Sequence, residues 1–108
     1  LREIENSKLI EHVSNSIALC FGNLKNDLIS NDFVKDVRFV GAQCAIEFNN
    51  SVTANEVQKL ALSQAKLLTY GGGRKGECVL LLPPINIDEN TLQNALTSLL
   101  EIISQGLP

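Results

Sequence analysis

The segment Glu77-Cys78-Val79-Leu80-Leu81-Leu82-Pro83-Pro84 decides the fold, because it contains an uninterrupted apolar run that two prolines end. Proline has no N–H group to donate to a β-ladder, so the two prolines stop the strand that precedes them. A strand that is apolar at successive positions is typical of the centre of a sheet that is covered on both faces. We therefore predict a central, doubly covered strand over residues 77–82.

Further elements are predicted on either side of this strand. Residues 66–70 are expected to form a short strand, and residues 71–76 a mobile loop, because consecutive glycines fix no backbone conformation. Downstream, Asp88 is a suitable N-cap for a final helix, which Gly106 and Pro108 close. The apolar residues on one face of that helix are Leu92, Ala95, Leu96, Leu99 and Ile103.

The first third of the chain predicts a long amphipathic helix over residues 2–29. Apolar residues recur there at helical spacing, so they fall on one face of a helix. Leu19 lies outside this stripe and is expected to meet another surface. The residues of the stripe are Leu9, Ile10, Val13, Ile17, Cys20, Phe21, Leu24 and Leu28.

A single strand is predicted over residues 37–48, because apolar residues alternate along it. The face expected to point to the core carries Val40, Ala42, Cys44, Ile46 and Phe48. The opposite face carries Val37, Phe39, Gly41, Gln43, Ala45 and Glu47. That second face is half apolar, so we expect part of it to be covered by something else.

Thr53-Ala54-Asn55-Glu56 has the pattern of a capping box, and Val52 and Val57 stand at the positions of a hydrophobic staple. A helix is therefore predicted to begin at Thr53 and to run to about residue 64. It is expected to bury Val57, Leu60 and Ala61. The element order is then α-β-α-β-β-α, which predicts an α+β fold with a small sheet backed by helices.

Length and composition limit the classes of protein that the chain can represent. A chain of 108 residues is expected to be one domain, and 44% hydrophobic with 19% charged residues is a globular composition. The net charge is −3 and no basic face is evident, which argues against a nucleic-acid partner. No apolar run approaches the ~20 residues of a membrane span. The chain does not begin with Met, and its first helix has no evident N-cap, so we expect the chain to be cut from a longer protein.

The three cysteines, Cys20, Cys44 and Cys78, lie far apart among apolar neighbours, which predicts buried thiols in a reducing compartment and a cytoplasmic location. No pair has the spacing of metal ligands, and the single histidine, His12, has no thiol nearby. His12 is therefore interpreted as a surface residue, and no metal site is predicted.

The other candidate side chains also have structural explanations that require no catalytic or binding role. Arg74 and Lys75 follow three glycines, but no Ser or Thr follows the lysine and no helix begins there, so a hairpin connection is favoured over a phosphate site. Arg38 is interpreted as a member of a surface or interdomain ion pair. No nucleophile has a base beside it, so the residues alone predict no catalytic and no cofactor-binding residue.

Two segments resemble a known family. Residues 36–48, Asp-Val-Arg-Phe-Val-Gly-Ala-Gln-Cys-Ala-Ile-Glu-Phe, resemble a strand of class III pyridoxal-phosphate aminotransferases that usually reads V-R-G-x-G-L-M-x-G-I-E. Residues 79–88, Val-Leu-Leu-Leu-Pro-Pro-Ile-Asn-Ile-Asp, resemble the same family's I-R-L-L-P-P-L-T-I-T, which also leads into a final helix. The first helix is similar to the one that opens the corresponding domain, so the resemblance spans nearly the whole chain.

This resemblance implies that residues 1–108 are the C-terminal small domain of a fold-type-I transaminase. The parent enzyme, expected to be a homodimer, would move an amino group between a primary amine and a keto acid through pyridoxal phosphate. In that family the large domain carries the Schiff-base lysine and most cofactor contacts, so this chain alone is expected to be inactive. Its expected contribution is to position the substrate and to close over it.

The chain departs from the family's pattern at the substrate contact. Leu80 stands where the family has an arginine that binds a substrate carboxylate, so that contact is missing. The compact link between Glu47 and Thr53 is similar to the diaminononanoate branch, which belongs to biotin biosynthesis and also lacks that arginine. That branch has Arg-Pro where this chain has Thr69-Tyr70, and a tyrosine at the position of Leu80. The resemblance implies Leu80, Tyr70 and Arg74 as substrate-binding residues.

A second interpretation needs no cofactor. The elements from Val37 onward also suit a stand-alone α/β module that binds a ligand or regulates a partner, because a fold alone does not determine function. The full gene discriminates between the two, since an upstream domain of a few hundred residues with a strand-borne lysine selects the aminotransferase.

Overall fold

The computed structural model describes residue 11 and residues 13–64, 69–84 and 86–105. Residues 2–10 of the predicted first helix and His12 lie outside these residues. So do positions 66–68 of the predicted short strand, together with Gly106 and Pro108.

The described residues form one four-stranded antiparallel sheet. Its strands are β1 (Val34–Val40), β2 (Gln43–Phe48), β3 (Tyr70–Gly72) and β4 (Cys78–Leu81), in the order β1-β2-β4-β3. The apolar strand β4 lies between two others, so its predicted central position is confirmed. The α+β class and the small sheet backed by helices are confirmed as well.

The segment that was predicted as one strand is a β-hairpin. Val40 pairs with Gln43 across the two residues Gly41 and Ala42, and Gly41 has a φ of 57°, which glycine adopts without strain. Because paired residues share a face, the turn shifts the alternation between the two strands. Val37 is therefore buried and Val40 is 82% exposed, the reverse of the prediction. In β2 the predicted core residues Cys44, Ile46 and Phe48 are buried.

Three helices cover one face of the sheet. They are α1 (Ala18–Leu28), which a short π-helical segment (Val13–Ile17) precedes, α2 (Ser51–Gln64) and α3 (Glu89–Ser104). The helices pack on the sheet face that carries Val37, Ile46 and Val79. The buried residues of α1 and its preceding segment are Ile17, Cys20, Phe21, Leu24 and Leu28, as the predicted stripe requires. Leu19, outside the stripe, is exposed.

The predicted capping box of α2 is wrong. The helix begins at Ser51, and the Asn50 side chain accepts a hydrogen bond from the Thr53 N–H at 2.9 Å, so Asn50 is the cap. Thr53 lies inside the first turn and is buried, while Val52 is 70% exposed and forms no staple with the buried Val57. Asparagine caps at least as well as threonine, and here it stands three residues earlier. Leu60 is half-buried, whereas Ala61 is buried as predicted.

The start of α3 agrees with the prediction. The Asp88 carboxylate accepts a hydrogen bond from the Thr91 N–H at 3.2 Å, which caps the helix. Four of the five predicted apolar positions are buried (Leu92, Leu96, Leu99 and Ile103), and Ala95 is half-buried. No helix in the described part of the chain is long and apolar enough to cross a membrane.

The glycine-rich segment is more ordered than predicted. Gly71 and Gly72 belong to β3, and a tight turn over residues 73–76 leads to β4. Gly73 and Gly76 have φ values of 85° and 75°, a backbone conformation that favours glycine. The turn is held by a hydrogen bond from the Lys75 N–H to the Glu77 carboxylate at 3.1 Å.

Candidate functional site

The sheet face opposite the helices carries the candidate site, and we call it the open face. The pairing register places Arg38 opposite Ala45, Ala45 opposite Leu80, and Leu80 opposite Tyr70, so these residues form one row across four strands. Beside that row, Val40 stands opposite Gln43 at the turn end of the hairpin. Leu80 is half-buried and Tyr70 is exposed, so no described helix covers this row of residues. The predicted double coverage of β4 is therefore wrong for the described residues.

A shallow concavity of about 300 Å³ lies on the open face. Its size is at the lower end of ligand pockets, and most of its lining is apolar. This volume is sufficient for the apolar portion of a small molecule. The lining residues are Arg38, Phe39, Val40, Gln43, Cys44, Ala45, Leu80 and Leu82.

Arg38 is held in ion pairs at the rim of this concavity. Its Nη1 atom lies 2.8 Å from Asp36 Oδ2 and 2.9 Å from Glu47 Oε1, and Lys35 Nζ lies 3.4 Å from Glu47 Oε2. The hydrogen bonds from Arg38 hold the pKa of Asp36 and the pKa of Glu47 below their ordinary values. The predicted ion pair is thus present, and two carboxylates already occupy the guanidinium.

The structure brings together two of the three residues that the resemblance implied for substrate binding. Leu80 and Tyr70 are cross-strand partners on the open face. Gly72 allows this packing, because a Cβ atom there would lie 3.2 Å from Leu80 Cγ. Arg74 lies in the exposed turn after β3, and it does not line the concavity.

Val40, Ala45 and Leu82 belong to this surface, although the sequence analysis did not place them in a site. Val40 was predicted to lie in the core because residues 37–48 were treated as one strand, so the alternation of core and surface positions was continued across the turn. The signal that could have revealed it is Gly41, a glycine between two β-rich runs, which is typical of a hairpin turn.

A second concavity lies beside α2, on the helix side of the sheet. It is lined by Asn55, Gln58, Lys59, Leu62 and Thr69, and its volume is about 370 Å³. The Thr69 hydroxyl is buried and has no hydrogen-bond partner in the described part of the chain. This concavity is separated from the open face by the sheet itself.

The cysteines offer no reactive thiolate. Cys20, Cys44 and Cys78 are all free and buried, as predicted. Burial raises the pKa of the Cys44 thiol to about 12 and also raises the pKa of Cys20 and the pKa of Cys78. A thiol must be deprotonated to act as a nucleophile or metal ligand. No group of three or more potential metal-ligating side chains occurs among the described residues.

The described residues do not fit pyridoxal phosphate. The cofactor needs a lysine amine inside an enclosed site, where the protein holds its ring and phosphate. The described lysines are Lys25, Lys35, Lys59 and Lys75, and none of them is buried. Lys35 is paired with Glu47 at the surface, and Lys75 lies in the exposed turn.

Several solved aminotransferases contain a segment with this fold. The ornithine aminotransferase of Plasmodium yoelii matches 93% of the chain with a TM-score of 0.80 and 29% identity. The acetylornithine aminotransferase of Elizabethkingia anophelis matches 95% of the chain with a TM-score of 0.79 and 25% identity. The ω-transaminase of Pseudomonas jessenii, solved in complex with PMP, matches 97% with a TM-score of 0.76, but its 19% identity shows the fold alone.

The matches concern only one part of each enzyme. The chain covers 27% of the first two structures and 25% of the third, so it spans about a quarter of their length. No protein-family model and no curated protein sequence matches the chain. The structural similarities support a transaminase-related fragment.

Proposed function

We propose that the chain is the C-terminal small domain of a class III aminotransferase that transfers an amino group from a primary amine to a keto acid through pyridoxal phosphate. The observation that carries the proposal is the similarity over more than nine tenths of the chain to an ornithine and an acetylornithine aminotransferase. The two sequence segments that resemble the family lie in β1, β2, β4 and the approach to α3. The cofactor would be held by the large domain of the same polypeptide, in a cytoplasmic homodimer.

The part of this chain in the reaction would be to position the substrate. Leu80 and Tyr70 would face the end of the substrate that does not react, and closure of the domain would exclude water from it. Leu80 offers no charge, and Arg38 is already paired with Asp36 and Glu47. The preferred substrate would therefore have an uncharged end rather than a carboxylate at this position. Arg74 could reach a substrate only from the exposed turn beside β3.

The diaminononanoate branch of biotin biosynthesis is the finer assignment that we favour. Two features support it: position 80 holds leucine rather than arginine, and the connection from β2 to α2 is short. The chain departs from that branch at three positions. Thr69 and Tyr70 replace the Arg-Pro of that branch, and Leu80 replaces its tyrosine. A panel of amino donors that includes neutral long-chain amines and acidic amino acids distinguishes this branch from the others.

The test is to express the full-length gene product and to follow the absorption of its cofactor as single amino donors are added. An aminotransferase changes its spectrum with a productive donor and reverses the change with a keto acid. A gene product without an upstream domain and without bound cofactor would contradict the proposal. It would favour the stand-alone ligand-binding or regulatory module.

A further inference from the structure

The concavity beside α2 contains a buried hydroxyl group that lacks a partner. Thr69 is 9% exposed, and its Oγ1 atom forms no hydrogen bond in the described part of the chain. Buried hydroxyl groups in folded proteins are nearly always paired, because an unpaired one loses its hydrogen bonds to water without replacement. Thr69 also lines the concavity, so a molecule held there is placed to supply the missing partner.

The alternation of side chains along β3 directs Thr69 toward α2. Tyr70 lies on the open face beside Leu80, and successive side chains of a strand point to opposite faces. Thr69 and Gly71 therefore face the helices. Gly71 lets the strand approach α2 closely, because a Cβ atom there would lie 3.6 Å from Gln58 Oε1 and 3.7 Å from Gln58 Nε2. The Gln58 amide thus lies against the backbone of β3, next to Thr69.

The opposite wall of this concavity is one stripe of α2. Its residues follow the i, i+3, i+4, i+7 spacing of a helix face, and they are Asn55, Gln58, Lys59 and Leu62. Lys59 is the only charged residue of the described lining, and it forms no ion pair in the described part of the chain. The wall therefore offers one positive charge, two side-chain amides and one apolar group.

We propose that this concavity binds a small molecule that carries one carboxylate and a short apolar portion. The Lys59 ammonium would donate to the carboxylate, and Leu62 would contact the apolar portion. The Thr69 hydroxyl would donate to a carboxylate oxygen, since a change of its χ1 angle between staggered positions moves the hydroxyl without moving the backbone. A volume of about 370 Å³ suits a ligand of this size. The site lies on the helix side of the sheet, so it is separate from the substrate contact proposed for Leu80 and does not rest on the proposed function.

Other classes of ligand fit the described lining less well. A cation would meet Lys59 and would find no carboxylate there. A phosphate group carries more charge than one lysine neutralises, and Asn55 and Gln58 lie beyond the first turn of α2, where no free backbone N–H groups are available to it. A wholly apolar molecule would leave the Thr69 hydroxyl unpaired. The lining therefore favours a ligand with a single carboxylate.

The experiment measures the binding of butyrate to the full-length protein by saturation-transfer NMR. Lys59→Gln removes the charge and keeps a polar side chain, so it should raise the dissociation constant by about tenfold or more. Lys75→Gln is the matched control, because Lys75 lies in the exposed turn after β3 and does not line the concavity, and it should change the constant little. Butyramide, the uncharged analogue of butyrate, should bind the wild-type protein about tenfold more weakly or worse.

A second pair of variants tests the hydroxyl group. Thr69→Val keeps nearly the same shape and should raise the dissociation constant for butyrate by about fivefold. It should also raise the unfolding temperature of the ligand-free protein, because it removes an unpaired buried hydroxyl. Thr97→Val is the control, since the Thr97 hydroxyl donates to the Gln93 carbonyl oxygen at 2.8 Å, and its loss should not raise the unfolding temperature.

Three results would overturn the proposal. Equal effects of Lys59→Gln and Lys75→Gln on butyrate binding would show only a general attraction to positive charge. A lower unfolding temperature for Thr69→Val would show that its hydroxyl already has a partner within the protein. Inorganic phosphate that binds as tightly as butyrate would show that the site does not select a carboxylate with an apolar portion. None of these measurements involves pyridoxal phosphate, so a failure of the proposed function would leave their outcome unchanged.

Discussion

Leu80 is the residue on which the proposed substrate contact depends most, because under that proposal its side chain determines what the open face offers to a substrate. It lies between Ala45 and Tyr70 in the row across the sheet and lines the concavity. Leucine can contribute apolar contact there but no hydrogen bond and no charge. Arg38, the nearest cation in the lining of the concavity, is paired with two carboxylates. Substrate selection at this position is therefore expected to disfavour carboxylates.

Leu80→Arg in the full-length protein should raise the preference for donors with a carboxylate at this end. A charge-assisted hydrogen bond contributes about 1–3 kcal/mol, so kcat/KM for acidic over neutral donors should rise by roughly 5- to 150-fold. Because Leu80 is only half-buried, its replacement should leave the unfolding temperature of the 108-residue chain nearly unchanged. Leu62→Arg is the control, because this leucine is exposed on α2 and does not line the concavity of the open face. A stable Leu80→Arg protein with an unchanged ratio would show that Leu80 does not contact the substrate.

The ion pairs of Arg38 should make the stability of the fold depend on pH. Its hydrogen bonds lower the pKa of Asp36 from its ordinary value of 3.8 and the pKa of Glu47 from 4.5. A carboxyl with a depressed pKa in the folded state stabilises the fold above the unfolded pKa, and this contribution is lost as the pH falls through the folded pKa. The unfolding temperature of wild type should therefore exceed that of Arg38→Met above pH 4.5, and the difference should shrink below 3.8. A difference that is constant across this range would show that the ion pairs do not form.

At the scale of elements, the first turn of α2 and the hairpin turn between β1 and β2 show where sequence patterns mislead. The sequence predicted α3 and its Asp88 cap because one amphipathic stripe and one capping residue indicate the same start. Asn50 and Thr53 are both residues that cap helices well, so the sequence alone does not decide between them. In the structure Asn50 takes the position. The alternation from residue 37 to residue 48 is continuous in sequence, so the turn at Gly41 is hidden within it.

Asn50→Ala should destabilise the chain by about 1 kcal/mol, the usual value of an N-cap, because it removes the acceptor of the Thr53 N–H. Asn55→Ala is a suitable control, since it replaces an exposed asparagine within the same helix and should be neutral or slightly stabilising. Urea unfolding of both variants measures the difference. An undiminished stability for Asn50→Ala, with a loss of this size for Thr53→Ala, would restore the capping box that the sequence predicted.

The two glycines Gly41 and Gly22 should respond in opposite directions to replacement by alanine. Gly41 has a positive φ of 57°, so Gly41→Ala should cost about 1 kcal/mol. Gly22 lies within α1, and a Cβ there would meet Phe39 at an ordinary contact distance of 3.7 Å. Gly22→Ala should therefore gain about 0.5–1 kcal/mol. An unchanged stability of Gly41→Ala in urea unfolding would contradict the positive φ assigned to this turn residue. A loss for Gly22→Ala would contradict the space found beside Phe39.

At the scale of the whole molecule, the chain is a two-layer domain with helices on one face of the sheet and exposed side chains on the other. The sequence could predict the layers, because each helix has its own apolar stripe. It could not predict the row that joins Arg38, Ala45, Leu80 and Tyr70, because non-local pairing sets the β2–β4 register. It indicated the open face only as a half-apolar side of one strand.

The incomplete site predicts how the 108-residue chain should respond to pyridoxal phosphate. Its described lysines lie at the surface, and they offer no enclosed site for the ring and phosphate of the cofactor. Borohydride reduction after incubation with the cofactor should therefore label several lysines weakly and none stoichiometrically. The full-length protein, treated in the same way, should carry one label per chain at a lysine outside residues 1–108. Peptide mapping by mass spectrometry locates the label in both cases. A single stoichiometric label within residues 1–108 would show that this segment holds the cofactor itself, which would contradict the proposed division of roles between the two domains.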